Sequence, residues 1–267
     1  MRLKNKVAII TGGNDGIGKA TAMLFASEGA KLVIAARREK EGKKVVEAIR
    51  KKNGEAIFVK TDTSIEADTI NMVKTAVKKF GKLDILVNCA AAQLGGTVLD
   101  AKPEDYDRIF SVNVKGYGMC AKAAIPYLLK SGKGAIVNVA SLNGVVGTKS
   151  RTLYNASKAA VIEMSKSMAI DFPTIRVNSI IPGFTASEAM MKGLSATGIA
   201  TEECGRLISS DSILKRMAKP IEIAYGILFL ASDESSYMTA ASLLMDGGIA
   251  GAIYTDRGLS EDPRLKH

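Results

Sequence analysis

Short apolar runs alternate along the chain with longer stretches whose apolar positions recur every three to four residues. Lys6–Thr11, Lys31–Ala36, Ala56–Lys60, Leu83–Asn88, Gly134–Ala140, Ile175–Ile180 and Ala241–Met245 are predicted as seven strands. Gly16–Glu28 carries Ile17, Ala20, Leu24 and Phe25 on one helical stripe. Glu39–Lys52 turns Val45, Val46 and Ile49 inward and stops at Asn53-Gly54. Ser64–Phe80 is predicted as a helix capped by Ser64 and stopped by Gly81. Pro103 opens a helical stretch that runs toward Lys130 with a break near Asn113, and Thr152–Asp171 reads as a helix closed by Pro173.

The strands are continuous apolar runs rather than alternations. Both of their faces are therefore expected to be buried, as in a parallel sheet covered by helices. A β-α repeat at this spacing predicts one α/β domain over residues 1–267, with a Rossmann-type doubly wound parallel sheet of about seven strands. The stretch 184–217 breaks the rhythm and follows a strand's carboxyl end, where such sheets bind ligands. It is expected to form a substrate lid.

Composition narrows the chemistry. The chain has 267 residues, 47% hydrophobic and 24% charged, enough to bury a sizeable core. No run of about eighteen apolar residues is present, so no membrane span is expected. The apolar stretch after Met1–Lys6 stops at Ile10, too short for a signal peptide, which makes a cytoplasmic location the default. The single histidine is His267. It leaves no base for Ser-His-Asp or Cys-His catalysis and no imidazole cluster for zinc or iron. Cys89, Cys120 and Cys204 form no Cys-x-x-Cys pair and read as free, reduced thiols. The net charge of +10 would attract anions, but the basic residues are dispersed over amphipathic helices and aromatics make up 5%. A solvated lysine-rich surface is the better reading, and no nucleic-acid partner is expected.

The first turn reads Thr11-Gly12-Gly13-Asn14-Asp15-Gly16-Ile17-Gly18, between a strand and a helix. Glycines there permit a tight turn and let backbone approach a pyrophosphate at the helix N-terminus. The second strand ends Ala35-Ala36-Arg37-Arg38. An acidic residue at that point would bond a ribose 2′-hydroxyl, whereas a guanidinium suits a 2′-phosphate, which favours NADP(H) over NAD(H). Asp15 pulls the other way and keeps NAD(H) open. Tyr154 and Lys158 are four residues apart and share a helical face. A free phenol titrates near 10, and an adjacent ammonium is expected to lower it, so the pair can exchange protons without histidine. Ser141 closes the fifth strand at the edge where the site of such a sheet belongs.

These residues and their order resemble the short-chain dehydrogenase/reductase family over roughly residues 4 to 248. The resemblance rests on TGGNDGIG at 11–18, Asp62 in KTDTS, DILVNCAA at 84–91, SVNVKG at 111–116 and GAIVNVASLNG at 134–144. YNASK at 154–158, IRVNSIIPGFTAS at 175–187, RMAKPIEIA at 216–224, FLASDESSYMTA at 229–240 and MDGG at 245–248 continue it. It implies a catalytic tetrad of Asn113, Ser141, Tyr154 and Lys158. Tyr154 would be the proton donor or acceptor, and Ser141 would bond the same substrate oxygen. Lys158 would bond the nicotinamide ribose, and Asn113 would hold a relay water. The cofactor would lie along Gly12, Asn14, Asp15, Gly16, Ile17 and Gly18, with Arg37 and Arg38 at its 2′-phosphate. Asp62 and Thr63 would meet the adenine, and Asn88 and Ala90 the adenosine ribose side. Pro182, Gly183, Thr185 and Ser187 would meet the carboxamide end, Ser187 standing where the family often has threonine.

The chain departs from the family's common Asn-Asn-Ala-Gly at Cys89 and Ala91, and Ala240 replaces a common glycine. Asn143, with Ser141 and Tyr154, is expected to contact substrate. Gln93, Leu94, Leu142, Val145 and the 184–217 stretch would shape its pocket, with Met190 and Met191 as further candidates. The resemblance implies a homotetramer with interface helices around 104–130 and 152–171. The activity it implies is carbonyl–alcohol interconversion on a small molecule. Two alternatives are a 3-oxoacyl-(acyl carrier protein) reductase-like enzyme and a dinucleotide-binding protein without turnover.

Overall fold

The computed structural model describes residues 1–188, 190–191, 205 and 210–251. Among them are seven strands: β1 (Val7–Thr11), β2 (Lys31–Ala36), β3 (Ala56–Lys60), β4 (Ile85–Asn88), β5 (Ala135–Val139), β6 (Arg176–Pro182) and β7 (Ser242–Met245). They form one sheet in the order β3-β2-β1-β4-β5-β6-β7, and every pairing is parallel. The chain starts in the middle of the sheet, winds outward to β3, and returns to lay β4 against the other side of β1. That reversal between β1 and β4 opens a crevice at the carboxyl ends of the strands.

Helices cover both faces: α1 (Gly16–Ser27), α2 (Glu39–Arg50), α3 (Glu66–Phe80), α4 (Pro103–Phe110), α5 (Gly116–Ser131), α6 (Thr152–Asp171) and α7 (Pro220–Ala231). Strand periodicity divides the core between them. On β1, Ala8 and Ile10 pack with Phe25 of α1, Val45 and Ile49 of α2, and Ile227 of α7. Val7 and Ile9 point to the opposite face, against Met72 of α3, Ala121 and Leu128 of α5, and Met168 of α6. Strands β1, β2, β4, β5 and β6 are buried along nearly their whole length because each contributes to both layers. Strand β7 departs from that expectation. It lies at the sheet edge, with Ser242 and Leu244 exposed.

Four local features differ from the sequence pattern or refine it. Ser64 does not cap α3, which begins at Glu66; its hydroxyl donates instead to Asp62 Oδ1 at 2.6 Å. The break near Asn113 is a π-turn, Ser111–Lys115, within an otherwise continuous helical run. Helix α7 was not evident in the periodicity, because IEIAYGILFLA is apolar on nearly every side and shows no stripe. Gly81 ends α3 in the left-handed conformation, as its position predicts.

Candidate active site

A cleft of about 940 Å³ opens at the carboxyl edge of the sheet, within the range of small-molecule and cofactor sites. The glycine loop forms one wall. Gly12 has φ +65, and a Cβ there would fall 2.9 Å from the Ala90 backbone, so only glycine lets the β1 and β4 loops touch. Thr11 Oγ1 accepts from the amides of Cys89 and Ala90 at 3.0 and 3.2 Å and clamps the same junction. Asp15 caps α1, its carboxylate accepting from Gly16 N at 2.6 Å. The early amides of α1 lack intrahelical partners, and they open on the cleft beside Asn14, Asp15, Gly16, Ile17 and Gly18. A room-sized cleft with a glycine turn and a helix N-terminus at its wall fits a dinucleotide pyrophosphate.

Arg37, Arg38, Asp62 and Thr63 line the end of the cleft beyond β2 and β3. The two arginines have different partners. Arg38 pairs with Asp15 at 2.9 Å, and Asn14, with its amide oxygen turned toward it, accepts from the same guanidinium at 3.0 Å. Arg37 is exposed, and its charge acts on Asp62. Burial alone would raise the Asp62 carboxyl. Hydrogen bonds from the Ser64 hydroxyl and amide, together with Arg37, hold it below its ordinary value.

Ser141, Tyr154 and Lys158 meet at the centre of the cleft. Ser141 follows β5, whose end is fixed by the Ala140 amide donating to Ile180 O at 2.8 Å. Its hydroxyl accepts from Asn143 N at 3.2 Å, donates to Asn143 Oδ1 at 3.4 Å and favours the charged form of the nearby Tyr154 phenol. Lys158 is only 1% exposed. Its ammonium donates to Val139 O at 2.8 Å and lies 5.3 Å from the Tyr117 ring centroid and 5.8 Å from that of Tyr154. Burial pulls Lys158 down from 10.5 to about 8. Burial also pushes the Tyr154 phenol up, against the opposing pull of Ser141 and Arg151. The net shift of Tyr154 is therefore upward rather than the lowering expected from its lysine, because desolvation of the buried phenolate outweighs the pull of Ser141 and Arg151. A protonated phenol beside a serine hydroxyl and a buried ammonium can donate a proton to a carbonyl oxygen.

Two predicted residues lie beneath the cleft rather than on it. Asn88 is fully buried; its amide donates to Asn138 Oδ1 at 2.9 Å, and its own Oδ1 is buried without a partner among the described residues. Asn113, turned inward by the π-turn, accepts from Ala92 N at 2.7 Å and donates to Ala92 O and Ser157 Oγ, both at 3.0 Å. It holds the loop after β4 against α6. Pro182 ends β6 and Gly183, Thr185 and Ser187 follow it along the cleft, and Ala90 lines it from the loop after β4. Gln93, Leu142, Asn143 and Met190 also line it, whereas Leu94 and Val145 do not. Of the predicted lid, 189, 192–204 and 206–209 lie outside the described residues, and Cys204 with them. Burial pushes the Cys89 thiol up to about 11 and Cys120 to about 12, which makes both poor nucleophiles.

Sequence reasoning missed Thr148, Lys149 and Arg151, which also line the cleft, whereas Phe184, at the start of the 184–217 stretch, lines it as expected. The position of Arg151, one turn before Tyr154, was an available signal. Gly144 is a second omission. A Cβ there would fall 2.7 Å from the Lys158 carbonyl carbon, so this glycine lets the turn after β5 pack on α6 at the lysine.

Comparison with known proteins matches residues 12–250 to a family described as enoyl-(acyl carrier protein) reductase. An uncharacterized oxidoreductase of Thermotoga maritima is 41% identical over 93% of this chain and 98% of its own length. A 2,5-dichloro-2,5-cyclohexadiene-1,4-diol dehydrogenase of Sphingobium indicum is 40% identical over 92% of this chain and 97% of its own. A 3-oxoacyl-[acyl-carrier-protein] reductase of Thermotoga maritima is 40% identical over 93% and 99%.

Proposed function

The chain belongs to the short-chain dehydrogenase/reductase family, as an oxidoreductase of CH–OH groups using a nicotinamide dinucleotide, and from that premise we propose that it interconverts a carbonyl and a secondary alcohol with NADP(H), Tyr154 acting as general acid and base. The observation that carries this reading is the convergence of Ser141, Tyr154 and Lys158 in the cleft that the glycine loop also lines. When bound, the nicotinamide supplies or accepts the hydride. In reduction, Tyr154 donates its proton to the carbonyl oxygen and Ser141 donates a hydrogen bond to the same oxygen. Lys158, charged below about pH 8, stabilises the phenolate that forms and reaches the nicotinamide ribose. In oxidation the proton moves the other way.

The residues from Gly12 to Gly18 hold the pyrophosphate. Asp62 and Thr63 face the adenine, Ala90 the adenosine ribose, and Pro182, Gly183, Thr185 and Ser187 the carboxamide. Asn143, with Ser141 and Tyr154, faces the substrate. Asn88 and Asn113 act from beneath as positioning residues. The side-chain amide of Asn113 is committed to protein partners, so a relay water for Lys158 would be held from its backbone. The NADP(H) preference is supported by the charge arrangement. Arg38 compensates Asp15, the residue that would repel a 2′-phosphate, and leaves Arg37 for that phosphate.

The whole chain acts as one domain in the cytoplasm. Exposed apolar side chains at Leu129 of α5, Ile170 of α6, Tyr225 of α7 and Leu244 of β7 favour self-association as a homotetramer. A second reading, reduction of a 3-oxoacyl thioester on a carrier protein, draws on the Thermotoga relative of that name and on the +10 charge.

Fluorescence titration with NADPH and NADH tests the cofactor, and turnover of Tyr154→Phe tests the chemistry. Tighter NADPH binding, with turnover abolished and binding retained in Tyr154→Phe, is expected. Preference for NADH would overturn the role of Arg37. Turnover that survives the phenylalanine would overturn the mechanism.

A further inference from the structure

The substrate end of the cleft carries two cations that the proposed chemistry does not use. Arg151 is the N-cap of α6, three residues before Tyr154, and Lys149 precedes it by two. The Arg151 backbone is held by a bridge to Gly96, with Gly96 N donating to Ser150 O at 2.8 Å and Thr152 N to Gly96 O at 3.4 Å. Its half-buried side chain therefore starts from a fixed backbone position beside the cleft. Among the described residues, neither Arg151 nor Lys149 has an ion pair or a side-chain hydrogen bond. The opposite end of the cleft differs, since Arg38 is neutralised there by Asp15. Asp211 also lines the cleft, but it is engaged with a partner other than these two cations.

Asn143, Thr148 and Asn155 satisfy one another, which leaves the Gln93 amide as the uncharged side-chain donor on this wall. Asn143 Nδ2 donates to Thr148 Oγ1 at 2.5 Å and to Asn155 Oδ1 at 2.9 Å, and Asn155 Nδ2 donates to Thr148 O at 3.1 Å. What this wall offers a ligand besides that amide is positive charge. We infer that the substrate is an oxo acid, or the matching hydroxy acid, whose carboxylate is held by Arg151 and Lys149 while its carbonyl faces Ser141 and Tyr154. The spacing selects a carboxylate within a few bonds of the carbonyl. Three residues of helix span about 4.5 Å along the axis, whereas the phosphate of a carrier-bound thioester lies at the far end of a long pantetheine arm. A guanidinium matches a carboxylate with two parallel hydrogen bonds. The charge of Arg151 also draws the Tyr154 phenol downward, which shows how near it is to the reacting group.

This inference rests on the carbonyl–alcohol reading, and its test separates the two. Reduction of 3-oxobutanoate and 4-oxopentanoate is compared with that of their methyl esters in wild type, Arg151→Gln, Arg151→Lys and Lys149→Gln. Wild type is expected to prefer the free acids by about 10- to 100-fold in kcat/KM, the range for hydrogen bonds to a charged group. The acid-to-ester ratio should collapse toward one in Arg151→Gln, chiefly through KM, and recover in part in Arg151→Lys. A wild-type ratio near one, or a ratio unchanged in Arg151→Gln, overturns the inference. Isothermal titration of 3-hydroxybutanoate into the protein with NADPH, a pair with no hydride acceptor, supplies a readout without turnover. If no carbonyl is reduced yet binding depends on Arg151, the functional reading fails and the anion site stands. Binding that is absent, or equal in wild type and Arg151→Gln, overturns the anion site.

Discussion

Replacing Lys158 with methionine is expected to stabilise the folded protein at neutral pH while abolishing activity. The lysine is 1% exposed, and burial lowers it from 10.5 to about 8. The native state therefore disfavours the ammonium relative to the unfolded chain, by about 3 kcal/mol. That penalty is fully present below pH about 8, where the group is protonated in both states. It shrinks between about 8 and 10.5, where the native lysine is neutral and the unfolded one still charged, and it vanishes above. Methionine is unbranched and close in volume, so it fills the space with little strain. The Val139 carbonyl, which loses the ammonium, keeps the Tyr117 hydroxyl as a donor at 3.1 Å, so no buried acceptor is orphaned. Urea unfolding of both proteins at one protein concentration measures the difference. The gain should be about 3 kcal/mol at pH 7, about 2 at pH 9 and under about 1 at pH 10. A less stable variant at pH 7, or a gain that does not change with pH, would refute the reasoning.

Further predictions follow from single positions. Ala240 sits at φ +56, a conformation that costs a residue with a Cβ about 1 kcal/mol, so Ala240→Gly should raise urea stability by about that amount. Gly144→Ala would drive a methyl against the Lys158 backbone at 2.7 Å; overpacking of this kind costs about 1–3 kcal/mol, and NADPH affinity should fall with it in a fluorescence titration. Arg37→Glu should weaken NADPH by at least about tenfold relative to NADH, as expected for losing a charge-assisted contact and gaining repulsion. Tyr117→Leu removes the ring 5.3 Å from the Lys158 ammonium, and the limb of the kcat–pH profile near 8 should move to lower pH; an unmoved limb would limit Tyr117 to packing.

Much of the site was legible because its residues are tied to local geometry. The glycines at 12, 16 and 18 announce a turn that only a backbone free of Cβ can make, and Tyr154 and Lys158 share a face by helical spacing alone. Asn88 and Asn113 were legible as important but not as to place. A π-turn and a cross-strand partner, both set by packing, put their side chains under the cleft. Helix α7 was invisible for the opposite reason, since burial on nearly all sides erases the polar face that periodicity needs.

The local order of elements, the parallel α/β class and the Ser141–Tyr154–Lys158 constellation follow from sequence, because strand and helix periods and short spacings are local properties of the chain. Tertiary structure alone decided the electrostatics. The direction in which Tyr154 titrates, the pairing of Arg38 with Asp15, and the charge of Arg151, unpaired among the described residues, depend on which groups are withdrawn from water and which face each other. Desolvation and Coulomb energy are set by distances between segments far apart in the chain, and no local pattern carries them.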